Sequence, residues 1–213
     1  MDPVSVIIFV FILLFSVIFH EIAHGLMAER LGDPTAREAG RLTLNPIPHI
    51  DLFGSILLPA FLILIHSPII FGAAKPVPVD FRNFRNLKRD TILVSLAGVA
   101  TNFLLAIIAA VVLRLAPNLS AMGQNLLFET ITLNLVLGLF NLVPIPPLDG
   151  SKVLASILGY FDREWMYWVL SMERYGFFLL IIVLYLGLLQ TIIFPPLTIL
   201  LKILVGPNLS MGL

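Results

Sequence analysis

Long stretches without a charged side chain alternate with short polar segments, and this alternation sets the elements. The run from Pro3 to Phe19 is uncharged, and "FHEIAHGLMAERLG" continues it in helical register to Gly32. A single helix from Val4 to about Leu31 is therefore expected. The run lacks the basic flank and small-residue cleavage site of a signal peptide, so the helix is expected to stay in the mature protein. Thr91 to Leu113 is uncharged and of span length. Thr130 to Leu148 is another such run, broken at its end by Pro144, Pro146 and Pro147. Tyr175 to Leu201 is a fourth, interrupted by Pro195 and Pro196, and Pro195 to about Leu204 reads as a short interfacial helix carrying Lys202. Leu52 to Ala74 is apolar too but contains Gly54, Pro59, His66, Pro68 and Gly72. Two segments, "EAGRLTL" and "KPVPV", read as short strands. Pro76 and Pro78 would confine pairing of the second to one edge.

Composition turns these runs into membrane spans. Of 213 residues, 59% are hydrophobic and only 12% charged, about half the ~25% of a soluble domain. A water-soluble fold has too little polar surface to cover so much apolar side chain, and a disordered chain would be poor in it. Net charge is zero, so nothing points to nucleic acid, and the absence of cysteine rules out disulfides and thiolate ligands. The expected class is an all-α polytopic membrane protein with four to five transmembrane helices, short membrane-associated strands and a re-entrant hairpin. It forms one domain over residues 1–213, with a core of about 4–160 and a C-terminal span and interfacial helix of about 175–205.

Charge also orients the chain. Eleven of the 13 basic residues fall in three segments, Arg30–Arg41, Lys75–Arg89 and Lys152–Arg174. The positive-inside rule places all three in the cytosol and the N-terminus outside. Leu52–Ala74 then has cytosolic segments on both sides, which favours a hairpin that dips in and returns. The alternative is a true span that overrides the rule. Trp165 and Trp168, with Tyr160, Phe161 and Tyr167, read as an aromatic belt at the cytosolic interface.

The candidate chemistry lies in "HEIAH". His20 and His24 are four apart, so on a helix both imidazoles share a face and can bind one metal ion. Glu21 is one residue along, close enough to act as a general base toward water at that ion. Composition alone predicts roughly 0.002 such matches, so the motif carries weight. A carboxylate in a spanning helix costs about 2.5–3.5 kcal/mol on insertion scales, which marks it as functional rather than incidental. The competing interpretation is a polar contact between helices. Two histidines need a third protein ligand, and without cysteine the donor is Asp or Glu. Asp149 stands out because it ends the Pro-rich "NLVPIPPLDG" after an uncharged span. An ordinary span-ending turn is the alternative there. Thr91, Ser95, Gly98 and Asn102 form a small-and-polar stripe, as do Asn134, Gly138 and Asn141. Close packing with hydrogen bonds between helices accounts for most of these residues. Asn102 is in addition a candidate donor to a scissile carbonyl oxygen. His49 and His66 lack ligand spacing to the motif and read as structural.

"FHEIAHGLMAERLGD", "FGAAKPVPV", "SLAGVATN" and "FNLVPIPPLDG" occur in the order found in the site-2 protease family of intramembrane zinc metalloproteases, which the chain resembles over roughly residues 15–155. The match is to the compact prokaryotic kind without PDZ or CBS domains. The resemblance implies one zinc ion on His20, His24 and Asp149, with Glu21 as general base. It implies an endopeptidase that acts in or near transmembrane segments of a membrane-protein substrate. Val99 stands where the family's third motif usually has proline, while Gly98 and Asn102 remain. At about 1.5 Å per residue, His24 lies about 9 Å and His20 about 15 Å inward of Arg30, so the site is expected below the cytosolic surface. The strands would lie near this cleft and accept an extended substrate at an open edge. The competing function is a metal transporter using the same His/Asp site. A third is an inactive binding scaffold, against which the intact ligands and base argue. No repeated halves favour the transporter. Substrate identity, gating and oligomeric state are not encoded in these patterns.

Overall fold

The computed structural model describes residues 3–64, 66, 72–116 and 118–206. Its helices are α1 (Pro3–Arg30), α2 (Thr35–Glu38), α3 (Leu58–Leu64), α4 (Leu87–Leu115), α5 (Ala121–Leu142), α6 (Asp149–Leu158), α7 (Arg163–Ser171), α8 (Gly176–Tyr185) and α9 (Leu188–Val205). Among the described residues, five stretches are long and apolar enough to cross a membrane: α1, α4, α5, Arg163–Tyr185 (α7 running through a short 3-10 turn into α8) and α9. Large apolar side chains such as Ile7, Phe11, Leu104, Val111, Phe178 and Ile182 face outward, as a lipid solvent allows.

Helix α4 is the axis of the bundle and packs against α1, α5, α6 and α9. Its buried face is small and polar near the start (Thr91, Ser95, Gly98, Asn102) and alanine-lined further on (Ala106, Ala109, Ala110). The alanines let α5 and α9 approach closely and pack Ile131, Leu135, Leu197 and Leu201 into one cluster. The helix is unbroken through Val99, so valine at that position leaves the geometry regular. Capping is explicit at its start: Asn86 accepts from the Arg89 amide at 3.1 Å, and Asp90 accepts from the Asn86 amide at 2.9 Å.

Helix α1 ends in a Schellman turn. Gly32 takes φ +110°, its amide donates to Glu29 O at 3.1 Å, and the Asp33 amide donates to Ala28 O at 2.9 Å. Asp33 is fully buried and gathers the next loops. It accepts from Asn83 Nδ2 and the Asp80 amide, both at 2.8 Å, and from the amide and hydroxyl of Thr35. Burial alone would raise its pKa, but these four donors outweigh that and hold the carboxyl below the usual range.

Three expectations need correction. Neither "EAGRLTL" nor "KPVPV" is a strand, and no strand occurs among the described residues. The first begins in α2 and turns at Gly40, whose φ is +65°. The second is extended, but Pro76 and Pro78 have no amide hydrogen, and the Lys75 and Val77 donors are spent elsewhere. The Lys75 amide donates to His49 O at 2.9 Å and the Val77 amide to Glu21 at 2.7 Å. The C-terminal break falls at Gly187, φ +69°, not at the prolines; Pro195 and Pro196 lie inside α9. Glycine reaches the left-handed region without strain, whereas a proline pair removes two amides yet leaves the helix standing when neighbouring helices brace it. The third span begins earlier than Thr130 and ends at Leu142, before the proline segment.

Leu52–Leu57 is a π-helical turn running into α3. The Ala73 amide donates to Gly54 O at 3.0 Å and Ser55 Oγ donates to Ala73 O at 2.8 Å, so the two ends of Leu52–Ala74 are clasped together. The tip, residues 65 and 67–71, lies outside the described residues.

Candidate metal centre

Three helices build the site. α1 contributes His20, Glu21 and His24; α4 contributes Val94, Gly98 and Asn102; α6 contributes Asp149 as its first residue. The segment Val143–Leu148 links α5 to α6, with a cis Pro146–Pro147 bond, and turns Asp149 back onto α1. Gly150 makes that fit: a Cβ there would sit 2.2 Å from Leu142 O. Gly176 of α8 packs as closely from the other side, where a Cβ would stand 2.8 Å from Pro147 N.

His20 Nε2 and His24 Nε2 are 2.9 Å apart, and Asp149 Oδ2 lies 3.1 Å from the first and 3.2 Å from the second. All three side chains are buried. The imidazoles meet nearly perpendicular, at 87° with centroids 4.5 Å apart. Their other nitrogens settle what these atoms offer. His24 Nδ1 lies 2.7 Å from Val94 O, a carbonyl that can only accept, so Nδ1 carries the proton. His20 Nδ1 lies 2.6 Å from Asn102 Oδ1 and donates in the same way. In neutral histidines both Nε2 atoms therefore present lone pairs, and Asp149 Oδ2 has no hydrogen-bond donor. Two imidazole lone pairs and a carboxylate oxygen converging without a donor are mutually repulsive. They fit a divalent cation of the zinc type.

Gly98 completes the cradle. A Cβ there would lie 2.5 Å from His24 Nε2 and 2.7 Å from His20 Nε2. Because helical side chains lie over the preceding turn, the absence of one at 98 also uncovers the Val94 carbonyl for His24. Glu21 is half-buried beside the histidines, and its Oε2 accepts from the Val77 amide at 2.7 Å. Asn102 is fully buried, with its oxygen on His20 and its amide nitrogen donating to Asn134 Oδ1 at 3.0 Å. In this state neither amide group of Asn102 faces open space. His49 donates from Nε2 to Thr43 O at 2.9 Å and His66 is exposed; neither joins the cluster. The roles of Val94 and Val77 are carried by backbone atoms. For Val77 a signal existed: Pro-Val-Pro isolates a single amide hydrogen.

Residues 117–184 match the family model described as Peptidase family M50. Over 181 residues the chain is 40% identical to "Putative zinc metalloprotease YwhC" of Bacillus subtilis (strain 168), covering 80% of this chain and 76% of that one. The chain belongs to peptidase family M50. Two further relatives, less similar, are longer than the aligned region. "Putative zinc metalloprotease Rip2" of Mycolicibacterium smegmatis is 29% identical, with 80% of this chain aligned to 64% of that one. "Zinc metalloprotease MJ0392" of Methanocaldococcus jannaschii is 28% identical, with 70% of this chain aligned to 34% of it. No solved structure matches the chain significantly. The M50 assignment is the site-2 protease family anticipated from the motifs.

Proposed function

We propose that this chain hydrolyses a peptide bond in or near a transmembrane segment of another membrane protein, with His20, His24 and Asp149 as the ligands of one zinc ion and Glu21 as the general base. Membership of family M50 makes it a zinc-dependent intramembrane metalloprotease, and it does not favour the transporter alternative. The observation that carries the residue assignment is the convergence of three lone-pair donors within 4.8 Å of one another, with Glu21 next to His20 on the same helix.

Zinc, when bound, supplies Lewis-acid polarisation of a carbonyl and makes water acidic enough to ionise near neutrality. The protein's own groups do the rest. Asn102 and the Val94 carbonyl fix the planes of His20 and His24 from behind. The Val77 amide holds one oxygen of Glu21, leaving Oε1 to take a proton from the attacking water and hand it to the leaving amine. Helical peptide bonds are hydrogen-bonded and shielded, so the substrate must unwind locally before attack.

Charge distribution supports an N-terminus outside and a metal centre toward the cytosol. The clasp between Gly54 and Ala73 supports a re-entrant path for Leu52–Ala74, since both ends of the segment meet on one side. The deciding experiment uses Glu21→Gln in liposomes with single-span candidate substrates. Zinc content should stay stoichiometric while cleavage falls by at least about 10²-fold. Undiminished cleavage by the Gln variant would remove Glu21 from the mechanism. Zinc flux without cleavage by the wild type would overturn the functional class.

A further inference from the structure

Behind His20 a single file of buried amides crosses three helices. His20 Nδ1 donates to Asn102 Oδ1 at 2.6 Å, and Asn102 Nδ2 donates to Asn134 Oδ1 at 3.0 Å. Asn134 Nδ2 then donates to Thr130 O and to Ser16 Oγ, each at 2.9 Å. Asn102 and Asn134 are fully buried, and Ser16 is 4% exposed, so water offers these groups no alternative partner.

An asparagine amide can be placed two ways, and a neutral imidazole can carry its proton on either nitrogen. Here one atom removes every choice. The Thr130 carbonyl belongs to the backbone and can only accept, so Asn134 must turn its NH2 toward it. Asn134 then shows its oxygen to Asn102, which must answer with its own NH2. Asn102 is left with its oxygen toward His20, and His20 must present N–H at Nδ1. The lone pair of His20 is thereby committed to Nε2, the atom that faces Asp149.

We infer that Asn134 is a positioning residue for metal binding, acting through Asn102 to lock His20 in the Nδ1–H tautomer. The inference rests on the proposed role of His20 as a ligand. Asn134 touches neither substrate nor metal. Its contribution is direction: it transmits the polarity of a backbone carbonyl on α5 to a ring on α1. Ser16 is a side branch, because its hydroxyl can accept or donate and so imposes no direction.

The test begins on metal-free full-length protein with 15N-labelled histidine. The chain has only four histidines, and the His20 signals are assigned by their loss in His20→Ala. In the wild type, His20 should carry a proton on Nδ1; an unprotonated Nδ1 would overturn the inference without recourse to any variant. Asn134→Leu removes the chain's direction, and Asn134→Asp keeps an acceptor facing Asn102. The Leu variant should lose the fixed tautomer and bind zinc about 10–100-fold more weakly in chelator competition, the range for an outer-shell partner. The Asp variant should keep the tautomer, and Ser16→Ala should match the wild type in both readouts. Retention of tautomer and affinity by Asn134→Leu, or a Ser16→Ala variant that behaves like it, would overturn the inference. If His20→Ala binds zinc as tightly as the wild type, the ligand assignment fails instead, while the tautomer measurement still stands on its own.

Discussion

At Gly98 a single hydrogen atom separates a metal centre from a filled hole. A methyl group there would lie well inside van der Waals distance of both Nε2 atoms, and neither ring can retreat because each is held at Nδ1. Gly98→Ala should therefore abolish stoichiometric zinc, measured by elemental analysis of purified protein. Gly138→Ala, whose methyl would press on the Phe103 ring at 3.2 Å, should retain it. Equal zinc in the two variants would show that the cradle is looser than its geometry. Residues of this kind mark the edge of what the sequence makes legible. His20, Glu21 and His24 are readable because a helix turns their spacing into a shared face. Asp149 is readable because prolines single it out. Gly98 reads only as a small residue for packing, since its proximity to two rings depends on how α4 crosses α1. Asn102 reads as one of a stripe that hydrogen-bonds between helices, with a donor role toward substrate as an addition, and its neighbours here, His20 and Asn134, are such interhelical partners.

Among elements, the extended segment 72–80 shows how a motif can be recognised and its form misjudged. Its apolar, β-branched composition suggests a strand, but a strand needs regular donors, and prolines leave it few. It is held instead by particular anchors: Arg41 Nη2 donates to Lys75 O at 2.7 Å, Val77 holds Glu21, and the Asp80 amide donates to Asp33. Val77→Pro removes the amide that steadies Glu21 together with the buried valine side chain, so Val77→Ala is the control for the side chain. Cleavage should fall about 10-fold or more with zinc retained, consistent with ~1.5–3 kcal/mol for a hydrogen bond to a charged group. Loss of zinc in that variant would mean the segment supports the ligands rather than the base. Asp33 offers a pH test of the same segment's far anchor. Its folded-state pKa lies below the unfolded value, so its stabilisation is complete above about pH 4 and disappears as pH falls through the folded pKa. Metal-free Asp33→Asn should be about 2 kcal/mol less stable than metal-free wild type at neutral pH. Denaturation in detergent should show that gap closing below about pH 4; a gap independent of pH would assign the loss to packing.

For the molecule as a whole, the described residues hold five candidate spans, within the four to five expected, but Arg163–Tyr185 and α9 divide what reads in the sequence as a single span over Tyr175–Leu201. Where a helix breaks did not follow from prolines alone: Gly187 interrupts the last apolar stretch, while Pro195 and Pro196 sit within a continuous helix. Neighbouring helices, absent from a one-dimensional pattern, decide which breaker acts. Orientation is open to direct measurement, since the chain has no cysteine and any introduced one is unique. In intact cells, Asn118→Cys should react with an impermeant maleimide added outside, and Arg85→Cys only after lysis. His66→Cys should stay unreactive from outside if Leu52–Ala74 re-enters; labelling there would make it a full span.

The three proposed ligands come from opposite ends of the chain's order. His20 and His24 are in the first helix, and more than half of the sequence follows before Asp149. A chain emerging from the ribosome therefore inserts its histidines long before it can complete their site. On that assignment the site lacks its third ligand until Asp149, at the start of α6, reaches His20 and His24. Order of translation then decides when the proposed site can first be complete.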